Sequence, residues 1–321
     1  YEEQSAIQFG YRALISDDAQ IVAVASRYGS PSDSKNIEGM VAIFKYDSSL
    51  ENDPTKNVWQ RIGLIEGEAN YDLSGDGKTL AVGSTSIEGG YVKIFKRNDN
   101  EDLWSQVGET IWGDTDGDWA GRVTLNYDGT IVGIGAIFDA GYGSEYNIIY
   151  SRGAVKVFKY NGSSWVQRGQ EIHGHTDGDL FGGKISISDS GDTLAIGAGW
   201  SDTRGRETGQ VKVVRYDYNS LEWKQIGADL YGKATFDMYG YLLQLSADGS
   251  RLITTKRSSP HAIKVFKFNE GNVCPEVEND EYEVVYGTSM DITRFENSVI
   301  YNDYDANDSL NRESSSRRNK I

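Results

Sequence analysis

Gly153 to Gly174 reads G-A-V-K-V-F-K-Y, then N-G-S-S, then W-V-Q-R-G-Q-E-I-H-G. Val155, Val157 and Lys159 alternate with Lys156, Phe158 and Tyr160, the two-residue period of a strand, and Asn161-Gly162 is a hairpin turn into a second run beginning at Trp165. Two strands and a turn are too small to fold alone. The chain repeats them: Val41 to Tyr46 with Trp59, Val92 to Arg97 with Trp104, and Val211 to Tyr216 with Trp223. Each Trp is followed four residues later by a glycine, at Gly63, Gly108, Gly169 and Gly227. A fifth copy, Ile263 to Phe268, lacks the Trp. Self-similarity at a period of about 50 residues marks a repeat array or a propeller and outranks any local reading.

Two further runs precede each of these strands, most clearly Phe181 to Ser188, a turn at Asp189-Ser190-Gly191, and Leu194 to Gly197. Asp76-Gly77, Asp128-Gly129 and Asp248-Gly249 are two-residue hairpin signals at the same place in other copies. The repeat is therefore a four-stranded meander, and radial repetition of such sheets is an all-β propeller with short, protected edges. Five blades are expected over residues 1–272, with repeats at about 9–66, 67–117, 118–178, 179–237 and 238–272. Residues 273–321 form a C-terminal segment, extended or part of an immunoglobulin-like domain. The outer strand missing from the fifth copy must come from Tyr1 to Gln8 or from Glu281 to Gly287.

The unit F-G-x-x-x-x-x-S-x-D-G-x-x-L-A-V-G, best seen here from Phe181 to Gly197, followed by G-x-V-K-V-F and W-x-Q-x-G, resembles the FG-GAP propeller repeats of integrin α-subunits and of large secreted algal and marine microbial proteins. The resemblance covers roughly residues 9 to 270 and implies a propeller. That family carries a D-x-D-x-D-G calcium loop between first and second strands, where this chain has a tight Asp-Gly turn. Glu281 to Ile292 and Asn302 to Leu310 resemble the opening of an immunoglobulin-like repeat of extracellular adhesins.

Composition agrees with strands and tight turns: 37 Gly but 4 Pro, with 20 Tyr, 10 Phe and 7 Trp in 321 residues. A formal charge of −16 argues against nucleic-acid or anionic-membrane partners, which require a basic surface. No run of 18 apolar residues is present to insert in a membrane as a helix. A start at Tyr1 without Met fits a processed form or a fragment. With the sequons at Asn161 and Asn307 it points to an extracellular or cell-surface glycoprotein. Cys274 stands alone, so it is a free thiol or an intermolecular bond.

Few residues suggest chemistry. Asp114, Asp116 and Asp118 stand at alternate positions, with Asp177 and Asp179 in the next repeat, and offer oxygen ligands to calcium. No closing ligand follows them, and the plainer reading is that these side chains cap turns by accepting from backbone amides. His173 and His175 have no third histidine nearby, so neither zinc nor histidine catalysis is expected. Trp59, Trp104, Trp165 and Trp223 could stack on sugars, but their fixed place in each repeat favours packing between blades. No nucleophile motif or phosphate loop appears. The expectation is a non-enzymatic structural or adhesive module without cofactors beyond calcium, binding other protein subunits through its loop face and C-terminal segment, even as a filament or surface-appendage subunit. The rival reading is a carbohydrate-binding propeller lectin. A hydrolase in the central channel would require convergent acid and base groups, which a repeat pattern does not place.

Overall fold

The structure, a computed structural model, describes residues 7–28, 39–51, 56–66, 70–85, 89–98, 102–114, 120–137, 152–258, 261–268 and 281–284. They form five antiparallel sheets in chain order. The first joins β1 (Ile7–Ile15), β2 (Ile21–Tyr28), β3 (Met40–Tyr46) and β4 (Trp59–Glu66). The second joins β5 (Asn70–Leu73), β6 (Thr79–Ser84), β7 (Tyr91–Asn98) and β8 (Leu103–Gln106), and a short β9 (Ile111–Trp112) returns to β7. The third repeats this with β10 (Ala120–Leu125), β11 (Ile131–Ala136), β12 (Ala154–Tyr160), β13 (Trp165–Gln167) and β14 (Ile172–His173). The fourth has β15 (Lys184–Ile187), β16 (Thr193–Ala198), β17 (Gln210–Asp217), β18 (Glu222–Gln225) and β19 (Leu230–Tyr231). The fifth has β20 (Leu243–Leu245), β21 (Arg251–Lys256), β22 (His261–Lys267) and β23 (Glu281–Val284).

Two details differ from the simple meander. The outer strand of sheets two to four is broken into two pieces at the motif glycine, because Gly108, Gly169 and Gly227 adopt φ of 70°, 77° and 69°. The Gln two residues earlier locks that break: Gln167 and Gln225 each donate at 3.1 Å to the glycine carbonyl. In the fifth sheet the outer strand is β23, antiparallel to β22 with Ile263 opposite Tyr282. Of the two candidate donors, the downstream one pairs.

The hairpins between first and second strands are sealed alike. The side chain opening each turn accepts the amide five residues on: Ser16 from Ile21 at 2.9 Å, Ser74 from Thr79 at 2.9 Å, Asn126 from Ile131 at 2.8 Å, Ser188 from Thr193 at 3.1 Å and Ser246 from Arg251 at 2.9 Å. Backbone hydrogen bonds then tie turn to turn. Asp17 donates to Gly75, Asp76 to Tyr127, Tyr127 to Asp189 and Asp189 to Ala247, at 2.8–3.2 Å. The turns thus form a band at one end of the molecule.

The first strands of successive sheets lie against one another, β1 on β5, β5 on β10, β10 on β15 and β15 on β20, which makes them the innermost strands of a radial array. Apolar faces of neighbouring sheets interlock between them, as with Ile43, Tyr71 and Leu80 between the first two and Phe181, Leu194 and Ile196 between the third and fourth. The small residues of the second strand have a steric cause. A Cβ on Gly197 would come within 2.1 Å of the Gly240 carbonyl oxygen in the next sheet, so only glycine permits that approach.

Candidate functional site

The motif tryptophans serve packing geometry. Trp104, Trp165 and Trp223 each lie on the motif glycine of the preceding sheet, Gly63, Gly108 and Gly169, where an added Cβ would stand 2.6–2.8 Å from the indole. The Trp165 and Trp223 indole N–H groups donate across to the carbonyls of Val107 (2.9 Å) and Arg168 (2.7 Å). Trp59, in the first sheet, packs on Tyr46 at 5.2 Å between ring centroids. The acidic loops carry ion pairs and caps. Asp114 pairs with Lys156, Asp177 lies 3.5 Å from Arg152, and buried Asp179 accepts the Asp202 amide at 3.3 Å. Asp116 and Asp118 lie outside the described residues, as do Cys274 and Asn307. Among the described residues no three His, Cys, Asp or Glu side chains group to hold a metal ion. Asn161 is exposed, and its Oδ1 accepts from the Ser163 and Ser164 amides of its own turn, both at 2.9 Å.

The chemistry lies on the innermost strands instead. Counting back four residues from the side chains that open the turns gives Arg12, Asn70, Arg122, Lys184 and Leu242. Counting back two gives Leu14, Asp72, Thr124, Ser186 and Gln244. Residues two apart on a strand share a face, so these are two successive layers of the channel wall. In the lower layer, Asp72 accepts the Leu125 amide of the next sheet at 2.7 Å, as Thr124 accepts that of Ile187 at 3.3 Å and Ser186 that of Leu245 at 3.0 Å. A hydroxyl suffices for this stitch in two sheets. The carboxyl of Asp72 is therefore more than the stitch requires.

The upper layer carries three cations. Arg12 and Lys184 both act on the Asp72 carboxyl, and Arg12, Arg122 and Asp72 all act on the Lys184 ammonium, so charges from four sheets meet. Burial pushes the Asp72 carboxyl above the ordinary carboxylate range, against the opposing Leu125 amide and the two cations. Burial, with Arg12 and Arg122 beside it, pushes Lys184 below the ordinary lysine range. Both shifts favour the neutral forms and bring the proton affinities of the acid and the amine closer together. Arg122 is fixed by donating to Asn70 Oδ1, and the Arg12 guanidinium lies 5.1 Å from the centre of the Tyr71 ring.

Above this layer opens a cavity of about 230 Å³. Arg122 and Lys184 line it together with Trp200, Tyr241 and Leu242. These last three are 44%, 43% and 52% exposed, unusual for large apolar groups and suited to the face of a ligand ring.

No protein-family model matches the chain, and no curated protein matches it. Solved structures do. A proposed 6-phosphogluconolactonase of Bacteroides uniformis is 13% identical over 85% of this chain and 84% of its own, with a TM-score of 0.54. Another from Bacteroides fragilis is 13% identical over 85% and 83%, TM-score 0.52. The periplasmic gluconolactonase of Pseudomonas aeruginosa is 16% identical over 84% and 71%, TM-score 0.55. The fold is a β-propeller. Identity this low carries the fold alone across.

The comparison and the channel overturn one expectation. That expectation, a non-enzymatic structural or adhesive module, rests on the repeat fold, the acidic charge, the want of a catalytic motif and the adhesin-like C-terminal segment. The three propellers reported above are one gluconolactonase and two proposed 6-phosphogluconolactonases, and in this chain the charges of Arg12, Asp72, Arg122 and Lys184 act on one another beside an aromatic-lined cavity. The physical reason is that a propeller assembles its site from one residue per blade. Such a site leaves no contiguous motif in the chain. Its trace is the one repeat position that holds Arg12, Arg122 and Lys184, and that is visible only once the repeats are aligned on their turns.

Proposed function

We propose that the protein is a hydrolase of small sugar-type lactones acting at the mouth of the propeller channel. The observation that carries this reading is the meeting of Asp72 with Lys184, Arg12 and Arg122 beneath the cavity edged by Trp200 and Tyr241. The shared shape with lactonases supports it. A lactone ring lies against the aromatic edge. Asp72, its carboxylate less stable than usual and so more basic, takes a proton from water as the water oxygen bonds to the carbonyl carbon. The cations of the upper layer hold the negative charge that develops on the carbonyl oxygen. The ring C–O bond then breaks, the leaving oxygen takes the proton, and a hydroxy acid is released. We also propose a periplasmic or envelope location, and kinship with integrin-type repeats on the strength of Phe9-Gly10 and Phe181-Gly182, whose glycines share φ values of 88° and 90°.

The test is hydrolysis of glucono-1,5-lactone and related lactones, followed by acid release and corrected for the uncatalysed rate. Asp72→Asn keeps an acceptor for the Leu125 amide but removes the base, and should slow the reaction about 100-fold or more. A wild-type rate no faster than the spontaneous one for every lactone tried would end this reading.

A further inference from the structure

We propose that the upper channel layer, formed by Arg12, Asn70, Arg122, Lys184 and Leu242, binds an oxyanion: a carboxylate or phosphate substituent on the ligand that enters the cavity. The five residues hold the same repeat position, so the meander sets them at one level of the channel wall. Three of the five are cations, each from a different sheet, in a chain whose formal net charge is −16. Like charges at one level repel, and the repulsion is little screened in a half-buried site. Asp72, one layer below, offsets one of the three. An anion entering from the cavity meets the remainder.

The donors are placed for it. Among the described residues Lys184 Nζ has no hydrogen-bond partner and stands half-buried in the cavity wall, so its three N–H donors are available to a ligand there. Arg122, oriented by Asn70, presents a planar guanidinium on the same wall, and planar donors suit the paired oxygens of carboxylate or phosphate. Leu242 replaces a polar residue at the fifth position and, with Trp200 and Tyr241, gives the apolar remainder of the ligand its contact. The recognition is thus bipartite, anion below and ring above. It rests on the hydrolytic reading only in calling the ligand a substrate, because the charge layer would bind an anion without turnover.

The experiment is calorimetric titration of the full chain with inorganic phosphate, glucose 6-phosphate, gluconate and glucose, in wild type, Lys184→Met and Lys184→Arg. Wild type should bind glucose 6-phosphate or gluconate more tightly than glucose, less so as salt rises. Lys184→Met should weaken anion binding about tenfold or more, the usual cost of losing a charged hydrogen-bond donor, and leave glucose unaffected. Lys184→Arg should retain most of it. Binding by phosphate and glucose 6-phosphate but not gluconate identifies a phosphoryl group, and binding by gluconate identifies a carboxylate as sufficient. Equal affinity for glucose and the anions, or anion binding untouched in Lys184→Met, overturns the proposal. Anion binding without lactone hydrolysis would leave this inference standing and remove the hydrolase reading, while hydrolysis without anion preference would do the reverse.

Discussion

Asp72 and Lys184 are groups whose ionised forms the fold disfavours, and stability should record it. The folded pKa of Asp72 is raised above its unfolded value near 4, so folding loses stability as pH climbs through that value toward the raised one. Lys184 is the mirror case. Its folded pKa is lowered, so the loss comes as pH falls from about 10.4 through the lowered value. At neutral pH the protein carries both losses. Lys184→Met is therefore expected to raise the melting temperature while reducing activity, the trade between stability and function found at charged sites. For Asp72→Asn, the gain over wild type should be absent near pH 4 and grow toward pH 8, as read by thermal melts across that range. A pH-independent difference would mean that the carboxyl is not held out of its ordinary range.

The Trp–Gly contact is the element that carries one blade onto the next, and its parts fail separately. Trp223 is 4% exposed and donates to the Arg168 carbonyl, so Trp223→Ala should cost about 3–5 kcal/mol. Gly169→Ala leaves the indole intact but forces a Cβ at φ 77° and 2.7 Å from it, which should cost about 1–3 kcal/mol from the backbone alone. Denaturant melts of both variants check this, and an unchanged midpoint for Gly169→Ala would refute the contact. These elements were legible in the sequence because W-x-Q-x-G and S-x-D-G keep their spacing from copy to copy. β9, β14 and β19 were not, because two-residue strands after a bulge carry no periodicity of their own. Nor was the channel: Arg12, Asp72, Arg122 and Lys184 lie 60, 50 and 62 positions apart along the chain, and each alone reads as an ordinary polar residue in an alternating strand. Aligning the repeats on the turn-opening residue exposes them, since Arg, Asn, Arg and Lys then share one position.

At the scale of the whole molecule, the weak place in a ring of sheets is the last sheet, whose own repeat lacks its outer strand. The four Trp-bearing copies each supply an outer strand next to their third strand, but β22 receives β23 from beyond a stretch that carries no copy of the motif. Without β23 the backbone groups of β22 would form an open edge, a template for pairing with another chain. Antiparallel pairing directs alternate N–H groups of β23 at β22, so replacing two successive residues with proline removes one ladder bond whichever of the two faces inward. Tyr282→Pro with Glu283→Pro should therefore lower the melting temperature, by about 2–4 °C for each kcal/mol lost in a chain of this size, and should increase aggregation. Thermal melts paired with light scattering measure both. The charged groups of the proposed site, Arg12, Asp72, Arg122 and Lys184, come from the first four sheets, so turnover should persist below the new melting temperature, and lost stability with retained turnover separates the seam from the site. Prolines that change neither the melt nor the scattering would show that β23 does not close the fifth sheet.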